Sequence, residues 1–124
     1  MNLSARLSAI RTVWNTAIPS VPLNLHLSAQ KDTIPSAVLI VNSVEQFQST
    51  TTKTGWRASM QFKVDTTSDT SALSVLDSIV STFNRSKSVY WHYMTTDNAS
   101  ITASYLNHGS LWSIEVALTV EWTT

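Results

Sequence analysis

The N-terminal segment carries apolar residues at the spacing of an amphipathic helix. They recur every three or four residues and are Leu3, Leu7, Ile10 and Trp14. This spacing places all four on one side of an α-helix. Pro19 and Pro22 follow, and since proline cannot continue a helix interior, the helix is predicted to end before them.

Three strands are predicted to follow this helix. The short segment PLNLHL (22–27) alternates, whereas SAVLIVNSVEQF (36–47) is apolar on both faces at first and alternates later. The second pattern is typical of a central strand. From Trp56 every second residue up to Val64 is apolar, which predicts a strand buried on one side. The polar stretch QSTTTKTG (48–55) is predicted to be the tip of the hairpin between the last two strands.

A second helix is predicted after these strands. Asp69 is the predicted N-cap, because its carboxylate can accept the free amide protons of a first helical turn and its charge suits that end. The predicted apolar stripe consists of Leu73, Leu76, Ile79, Val80 and Phe83. Arg85 and Lys87 have the charge sign that favours a C-terminal helix end.

Three further strands are predicted for the rest of the chain. They are residues 88–96, 99–107 and 110–123. The sequence TDN (96–98) is predicted to be the turn between the first two. The fold class is therefore α+β, a mostly antiparallel sheet of about five to six strands packed against two helices, in the order helix, three strands, helix, three strands. Residues 1–124 are expected to form a single domain.

Composition narrows the class of protein. The chain has 43% hydrophobic and 13% charged residues, a formal net charge of zero and no cysteine. A zero net charge lacks the basic footprint of sequence-specific DNA binding, and a chain without cysteine has no disulfide or thiolate metal site. No segment has the apolar length of a signal peptide or of a membrane span, so we expect synthesis in the cytoplasm and no membrane partner. The sequons at Asn84 and Asn98 are then chance matches.

Candidate catalytic and metal-binding residues are sparse. Glu115 and Glu121 share a strand face, but six residues of strand separate them by about 20 Å, too far for a glycosidase pair. His26, His92 and His108 lie in different elements without ligand spacing. Two glycines cannot form a nucleotide-binding loop. We therefore expect a protein that is not an enzyme and that needs no cofactor and no metal.

The aromatic segment VYWHYM (89–94) allows two interpretations. Alternation predicts Tyr90, His92 and Met94 on one face and Trp91 and Tyr93 on the other. A strand that is apolar on both faces fits burial on one side and, on the other, either a subunit contact or a small-molecule pocket. We favour core plus subunit interface.

Several segments together resemble one protein family. They are PSAVLIVNSVEQ, GWRASMQFKVDT, DTSALSVLDSIVSTF and GSLWSIEVALTVEWT, which cover most of the chain from about Ile34 to its end. In this combination the sequence resembles the tail terminator proteins of lambda-like long-tailed bacteriophages, also called minor tail or tail completion proteins. The most specific parts are the W-x-A-x-aliphatic strand from Trp56 and the LWS segment that opens a final strand ending at Trp122.

The resemblance implies a structural protein of the virion, located in the neck region of the tail and assembled in the host cytoplasm. Such a protein forms a homo-oligomeric ring, expected to be a hexamer, at the head-proximal end of the tail tube. It stops tube polymerisation and provides the head-tail joining surface, so its partners are further copies of itself, the tail tube protein and the head-tail connector or stopper protein. DNA passes through the lumen without sequence-specific binding, which agrees with the zero net charge.

Two sets of residues are predicted to make these contacts. The subunit interface set is Arg57, Gln61, Lys63, Glu115, Glu121, Tyr90 and His92. The loop set, predicted to contact tube or connector, is Ser49, Thr50, Thr51, Thr52 and Lys53. Two alternatives stay open: a head-side connector or stopper ring of the same neck, and a small-ligand-binding α+β domain with the aromatics of residues 90–94 in its pocket.

Overall fold

Two helices and five strands make up the described part of the chain. The structure is a computed structural model, and it describes residues 1–25, 35–106 and 109–124. In chain order the elements are α1 (Leu3–Ala17), β1 (Leu23–Leu25), β2 (Ser36–Ser49), β3 (Thr54–Thr66), α2 (Asp69–Phe83), β4 (Tyr93–Leu106) and β5 (Gly109–Thr123). The α+β class is confirmed. The order is helix, three strands, helix, two strands, so the predicted third strand after α2 is wrong.

The five strands form one mixed sheet in the order β1-β2-β3-β5-β4. β1 runs parallel to β2, with Leu23 opposite Ala37, whereas the other neighbours are antiparallel. The expectation of a mostly antiparallel sheet is therefore corrected to a mixed sheet. Alternation along a strand reports which face is buried and carries no information on the direction of the neighbouring strand.

β4 combines two segments that the sequence predicts as separate strands. The TDN sequence is an irregularity within the strand, since pairing with β5 resumes at Ala99 after Thr96. The side chain of Asp97 accepts a hydrogen bond from Thr119 Oγ1 at 2.7 Å, which fastens the bulge to β5. Residues 88–92, predicted as strand, precede β4 in an irregular connection.

The start of α2 differs by one residue from the prediction. Ser68 is the N-cap, and its Oγ accepts a hydrogen bond from the Ser71 amide at 3.3 Å. Asp69 is the first helical residue, and its carboxylate accepts from the Thr70 amide at 2.7 Å. The predicted N-cap Asp69 is therefore wrong, although its charge lies at the helix end that favours it.

The buried side of α2 is rotated from the predicted stripe. Its buried residues are Ala72, Val75, Ile79 and Phe83. Ile79 and Phe83 agree with the prediction, but Leu73 is 56% exposed and Val80 is 37% exposed. The two stripes are adjacent on the helix, and the buried one combines the small Ala72 and Val75 with the large Ile79 and Phe83.

The core lies between the two helices and one face of the sheet. Trp14 of α1, Phe62 of β3 and Phe83 of α2 form an aromatic cluster. The Phe62 ring centroid lies 4.8 Å from that of Trp14 and 5.0 Å from that of Phe83, and the Trp14 and Phe83 centroids are 6.3 Å apart. The indole of Trp14 donates to the carbonyl of Val21 at 2.6 Å, so its buried polar atom has a partner. Ile10 is also buried, which confirms the predicted α1 face. The opposite face of the sheet is the one that carries the predicted interface residues.

Candidate interface on the open face of the sheet

The open face of the sheet is formed by alternate side chains of β2, β3, β5 and β4. Strand register places Arg57 opposite Glu121 and Lys63 opposite Glu115, while the residues next to them in sequence point into the core. Ser59, Lys63 and Glu115 are exposed. Five members of the predicted interface set thus share one surface, namely Arg57, Gln61, Lys63, Glu115 and Glu121.

Arg57 forms a three-strand ionic cluster on this face. Its Nε donates to Glu121 Oε1 at 2.8 Å and its Nη1 donates to Glu45 Oε1 at 3.3 Å. All three residues are paired in register, Glu45 with Arg57 and Arg57 with Glu121. The hydrogen bond to Glu121, above all, raises the pKa of the Arg57 guanidinium from its ordinary value. Arg57 and Glu121 are both predicted from the sequence to lie in a subunit interface, and the structure pairs them with each other within one chain.

Phe47 contacts the same ionic cluster, and it was not predicted from the sequence as an interface residue. It lies at an irregularity of β2, between the paired residues Gln46 and Gln48. The Arg57 guanidinium carbon lies 4.7 Å from the Phe47 ring centroid, a distance that allows a cation–π contact. A Cβ on Gly55 would lie 3.0 Å from Phe47 Cζ. Because Gly55 has no side chain, the Phe47 ring of β2 can lie over β3 at this position. In the sequence this contact is indicated only by a glycine just before the third predicted strand.

His92 and Tyr93 extend this corner towards β4. His92 Nε2 and Thr123 Oγ1 are hydrogen-bonded at 2.6 Å, and the His92 amide donates to the Glu121 carbonyl at 2.8 Å. Tyr93 pairs with Glu121 in the register of β4 and β5 and is 42% exposed. The charged cluster is thereby flanked by the exposed aromatics Phe47 and Tyr93.

Tyr90 is separate from the rest of the predicted interface set. Its carbonyl accepts from Arg6 Nε of α1 at 2.9 Å. The predicted alternation of residues 90–94 is also wrong, because Trp91 and Met94 are buried while Tyr90, His92 and Tyr93 are exposed. The segment is not regular strand before Tyr93, so period-two reasoning does not apply to it.

The hairpin tip is a compact turn between β2 and β3. Ser49 belongs to β2, since it pairs with Thr54, and Gln48 pairs with Gly55. The predicted tip of residues 48–55 is therefore shortened to residues 50–53, and the predicted contact loop loses Ser49. Thr50 amide donates to the Lys53 carbonyl at 2.7 Å, and Lys53 amide donates to Thr50 Oγ1 at 3.0 Å. Thr54 and Thr124 exchange two backbone hydrogen bonds of 2.9 Å. The C-terminal strand thus holds the base of the tip.

The concave regions lined by described residues include three clefts. A cleft of about 150 Å³ on the open face is lined by Gln61, Asn98, Ala99, Ser100, Glu115 and Ala117. A cleft of about 330 Å³ at the start of α2 is lined mostly by hydroxyl side chains. An apolar groove of about 480 Å³ lies between α1 and residues 88–91, where Val89 and Tyr90 are exposed.

Candidate chemistry is limited within the residues described. No group of three His, Asp or Glu side chains there is placed to hold a metal ion, while His26 and His108 lie outside the described residues. Neither helix of the described ranges is long and apolar enough to cross a membrane. No protein-family model matches the chain, and no curated protein matches it either. The residues of the open face are therefore the basis on which a function is proposed.

Proposed function

We propose that the chain is a structural virion protein, a phage tail terminator whose copies form a ring at the head-proximal end of the tail tube. In this role it stops tube polymerisation and provides the surface that the head connector joins. The proposal combines the resemblance of the strand and helix segments to that family with one structural observation, a five-stranded sheet whose second face is open and polar.

The chemistry of the open face is the observation that carries the proposal. Ser59 and Gln61 present uncharged polar groups, and Arg57 is already matched by Glu45 and Glu121. Burying unpaired charge is costly, whereas hydroxyl and amide groups can exchange water for a neighbour's hydrogen bonds at much lower cost. A surface of this kind suits contact with another protein better than it suits catalysis.

A ring requires two different patches on each subunit, because its contacts run head to tail. The charged cluster with Phe47 and Tyr93 is one patch that a neighbour can cover. The turn at residues 50–53 projects from the same end of the sheet and is the proposed contact to the tube or the connector. A lumen without basic patches would let DNA slide, in keeping with the zero net charge.

Solution mass and a matched pair of variants test the proposal. Light scattering at micromolar and near-millimolar concentration is expected to show a species near six subunits or a rise towards one. Ser59→Arg places a charge in the middle of the open face, whereas Ser81→Arg places it on the exposed side of α2. We expect Ser59→Arg to weaken association and Ser81→Arg to leave it unchanged. Equal behaviour of the two variants would refute an interface on this face.

A head-side connector or stopper ring of the same neck is the nearest alternative. It would use the same kind of interfaces and differ in the partner that it binds. Mixing the purified protein with tail tubes and, separately, with connector-bearing heads distinguishes them. Tail terminator function requires binding to the tube end and a limit on tube length, and a head-side ring requires neither.

The apolar groove beside α1 favours a second candidate function, binding of a small apolar ligand. Its volume lies in the range of ligand pockets, and Tyr90 and Trp91 contribute aromatic surface. Only part of the predicted aromatic pocket is there, because Met94 is in the core and Tyr93 is on the sheet. If this function holds, at least one compound of a ligand library should raise the melting temperature of the protein. The function is rejected if no compound does so and the melting temperature depends instead on the concentration of the protein itself.

A further inference from the structure

One side of β4 is an outer edge of the sheet, and its first residues are capped. Ser86 and Met94 exchange two backbone hydrogen bonds of 3.1 and 3.2 Å. The Asn84 side-chain oxygen then accepts from the Thr96 amide at 3.2 Å and from Thr95 Oγ1 at 2.9 Å. The chain thus closes the edge from Met94 to Thr96, as natural sheets do with exposed edges.

The bulge determines which amides of the remaining edge point outward. Met94 and Thr96 point their amides outward and lie opposite Val120 and Leu118 of β5. Along β5, every second residue continues the series that begins with Val120 and Leu118. The next residues in this series are Val116, Ile114 and Trp112. Their partners on β4 are Ala99, Ile101 and Ala103. These three residues therefore direct their amide and carbonyl groups away from the sheet.

Within the part of the chain that the structure describes, this outer edge lacks the usual protection against pairing. From Asn98 to Leu111 the sequence has no charged residue and no proline. Natural edge strands are protected by lysine, proline, bulges or covering loops, and here the bulge and the cap both end before Ala99. Ala99, Ser100, Thr102 and Ala103 are exposed and small. A second strand can approach them without steric obstruction and without burying charge.

We propose that the edge of β4 from Ala99 to Leu106 pairs with β2 of a second copy of this chain. β2 has the complementary feature, because the described residues of β1 pair with it from Ala37 to Leu39. Among the described residues, the stretch from Ile40 to Ser49 is paired on the β3 side alone. The two edges lie on opposite sides of one sheet, which is the arrangement that a head-to-tail contact requires.

This contact rests on the self-association that the proposed function requires, and it names the strands that make it. Three outward residues with one donor and one acceptor each allow about six hydrogen bonds between copies. The open face then continues from one subunit to the next across the joined edges. Repetition of the same contact produces a closed ring if the rotation between copies closes, and an open filament otherwise.

Residue-resolved amide hydrogen exchange tests the edge directly. The full chain is compared below and above the concentration at which light scattering detects association. The Ala99, Ile101 and Ala103 amides are expected to slow at least about tenfold on association, because each gains a hydrogen-bond partner. Ser100 and Thr102 point towards β5 and serve as internal controls that are protected in both states. Association without slowing of the three outward amides overturns the proposed edge and leaves the ring proposal intact.

A proline substitution provides the second test. Ala103→Pro removes one outward amide, and an edge strand tolerates proline where that amide faces outward. Ala103→Thr keeps the amide and is the control. We expect the proline variant to weaken association at least about tenfold while its melting temperature at low concentration stays near that of the control. Unchanged association of a folded proline variant contradicts the proposal. A chain that stays monomeric at near-millimolar concentration, with fast outward amides, overturns both the edge and the ring.

Single cysteines identify the partner strand, since the natural chain has none. Ser43 of β2 and Ser100 of β4 are both exposed, and both face the open side of the sheet. Mixed Ser43→Cys and Ser100→Cys proteins should give a heterodimer with a short bismaleimide, and Ser81→Cys with Ser100→Cys should not. A crosslink formed by Ser100→Cys protein alone, at equal yield, would assign the contact to β4 against β4 and refute the assigned strand.

Discussion

The orientation of α2 can be tested with two neighbouring residues. Ile79 is fully buried, whereas Val80 is 37% exposed, although the sequence pattern assigns both to the apolar stripe. Both are β-branched, so replacement by alanine gives each a similar gain in helix propensity, at most about 0.7 kcal/mol. The difference between Ile79→Ala and Val80→Ala therefore reports burial.

The expected magnitudes differ severalfold. Ile79→Ala leaves a cavity beside the aromatic cluster and should lower the free energy of unfolding by about 2–5 kcal/mol. Val80→Ala removes two partly exposed methyl groups and should change it by no more than about 0.5 kcal/mol. In a domain of this size 1 kcal/mol corresponds to roughly 3–6 °C, so Ile79→Ala should lower the melting temperature by at least about 6 °C.

Urea unfolding followed by circular dichroism is the assay, at a concentration low enough to keep the chain monomeric. The slope of free energy against urea should stay constant, so that the midpoint shift measures stability. Leu73→Ala, at a 56% exposed position of the same helix, is a further control and should resemble Val80→Ala. Equal losses at residues 79 and 80 would mean that α2 packs on the stripe predicted from sequence, and the structural reasoning would be refuted.

Three further substitutions test local features. Ser68→Ala should cost about 0.5–2 kcal/mol in urea unfolding, because the first turn of α2 loses its cap; no loss would mean that another group caps the helix. Gly55→Ala should destabilise, since its Cβ would meet the Phe47 ring at 3.0 Å, and adding Phe47→Ala should remove most of that penalty in a double-mutant cycle; strict additivity would contradict the contact. Asn84→Ala should cost about 0.5–1.5 kcal/mol and speed exchange of the Thr96 amide, which loses its acceptor; unaltered exchange would argue against the cap.

The hydrophobic pattern predicted the positions of helices and strands better than it predicted which face of each is buried. The positions of both helices and of the hairpin follow from period and proline placement, and the structure confirms them. On α2, however, Leu73, Leu76 and Val80 form one stripe at helical spacing and Ala72, Val75, Ile79 and Phe83 form the next. The sequence favoured Leu73 and Val80 over the smaller Ala72 and Val75, but Ala72 and Val75 lie on the side of the helix that also carries the buried Ile79 and Phe83. Helical period alone does not distinguish two adjacent apolar stripes.

The β4 strand shows a different limit of sequence reasoning. Asp97 and Asn98 have the chemistry of a turn, and nothing local distinguishes a turn from a bulge. What decides is β5, which pairs with β4 before and after the bulge. The parallel pairing of β1 with β2 is likewise a long-range property. Both corrections concern contacts between segments, which a single sequence does not specify.

The same limit applies to the candidate interface. Alternation predicted that Arg57 and Glu121 point outward from their own strands, but only the register of β3 with β5 places them opposite each other. Since Arg57 is bonded to Glu121 and Glu45 within the chain, a neighbour that covers this corner gains little from new ion pairs. Its specificity must come from the shape of the Phe47 and Tyr93 surface and from backbone pairing at the β4 edge. Tyr93 begins β4, but Phe47 lies on β2, and the sheet order places β3 and β5 between these two strands. A neighbour strand that follows the β4 edge therefore does not reach Phe47, and contact with Phe47 has to come from the neighbour on the other side of the sheet.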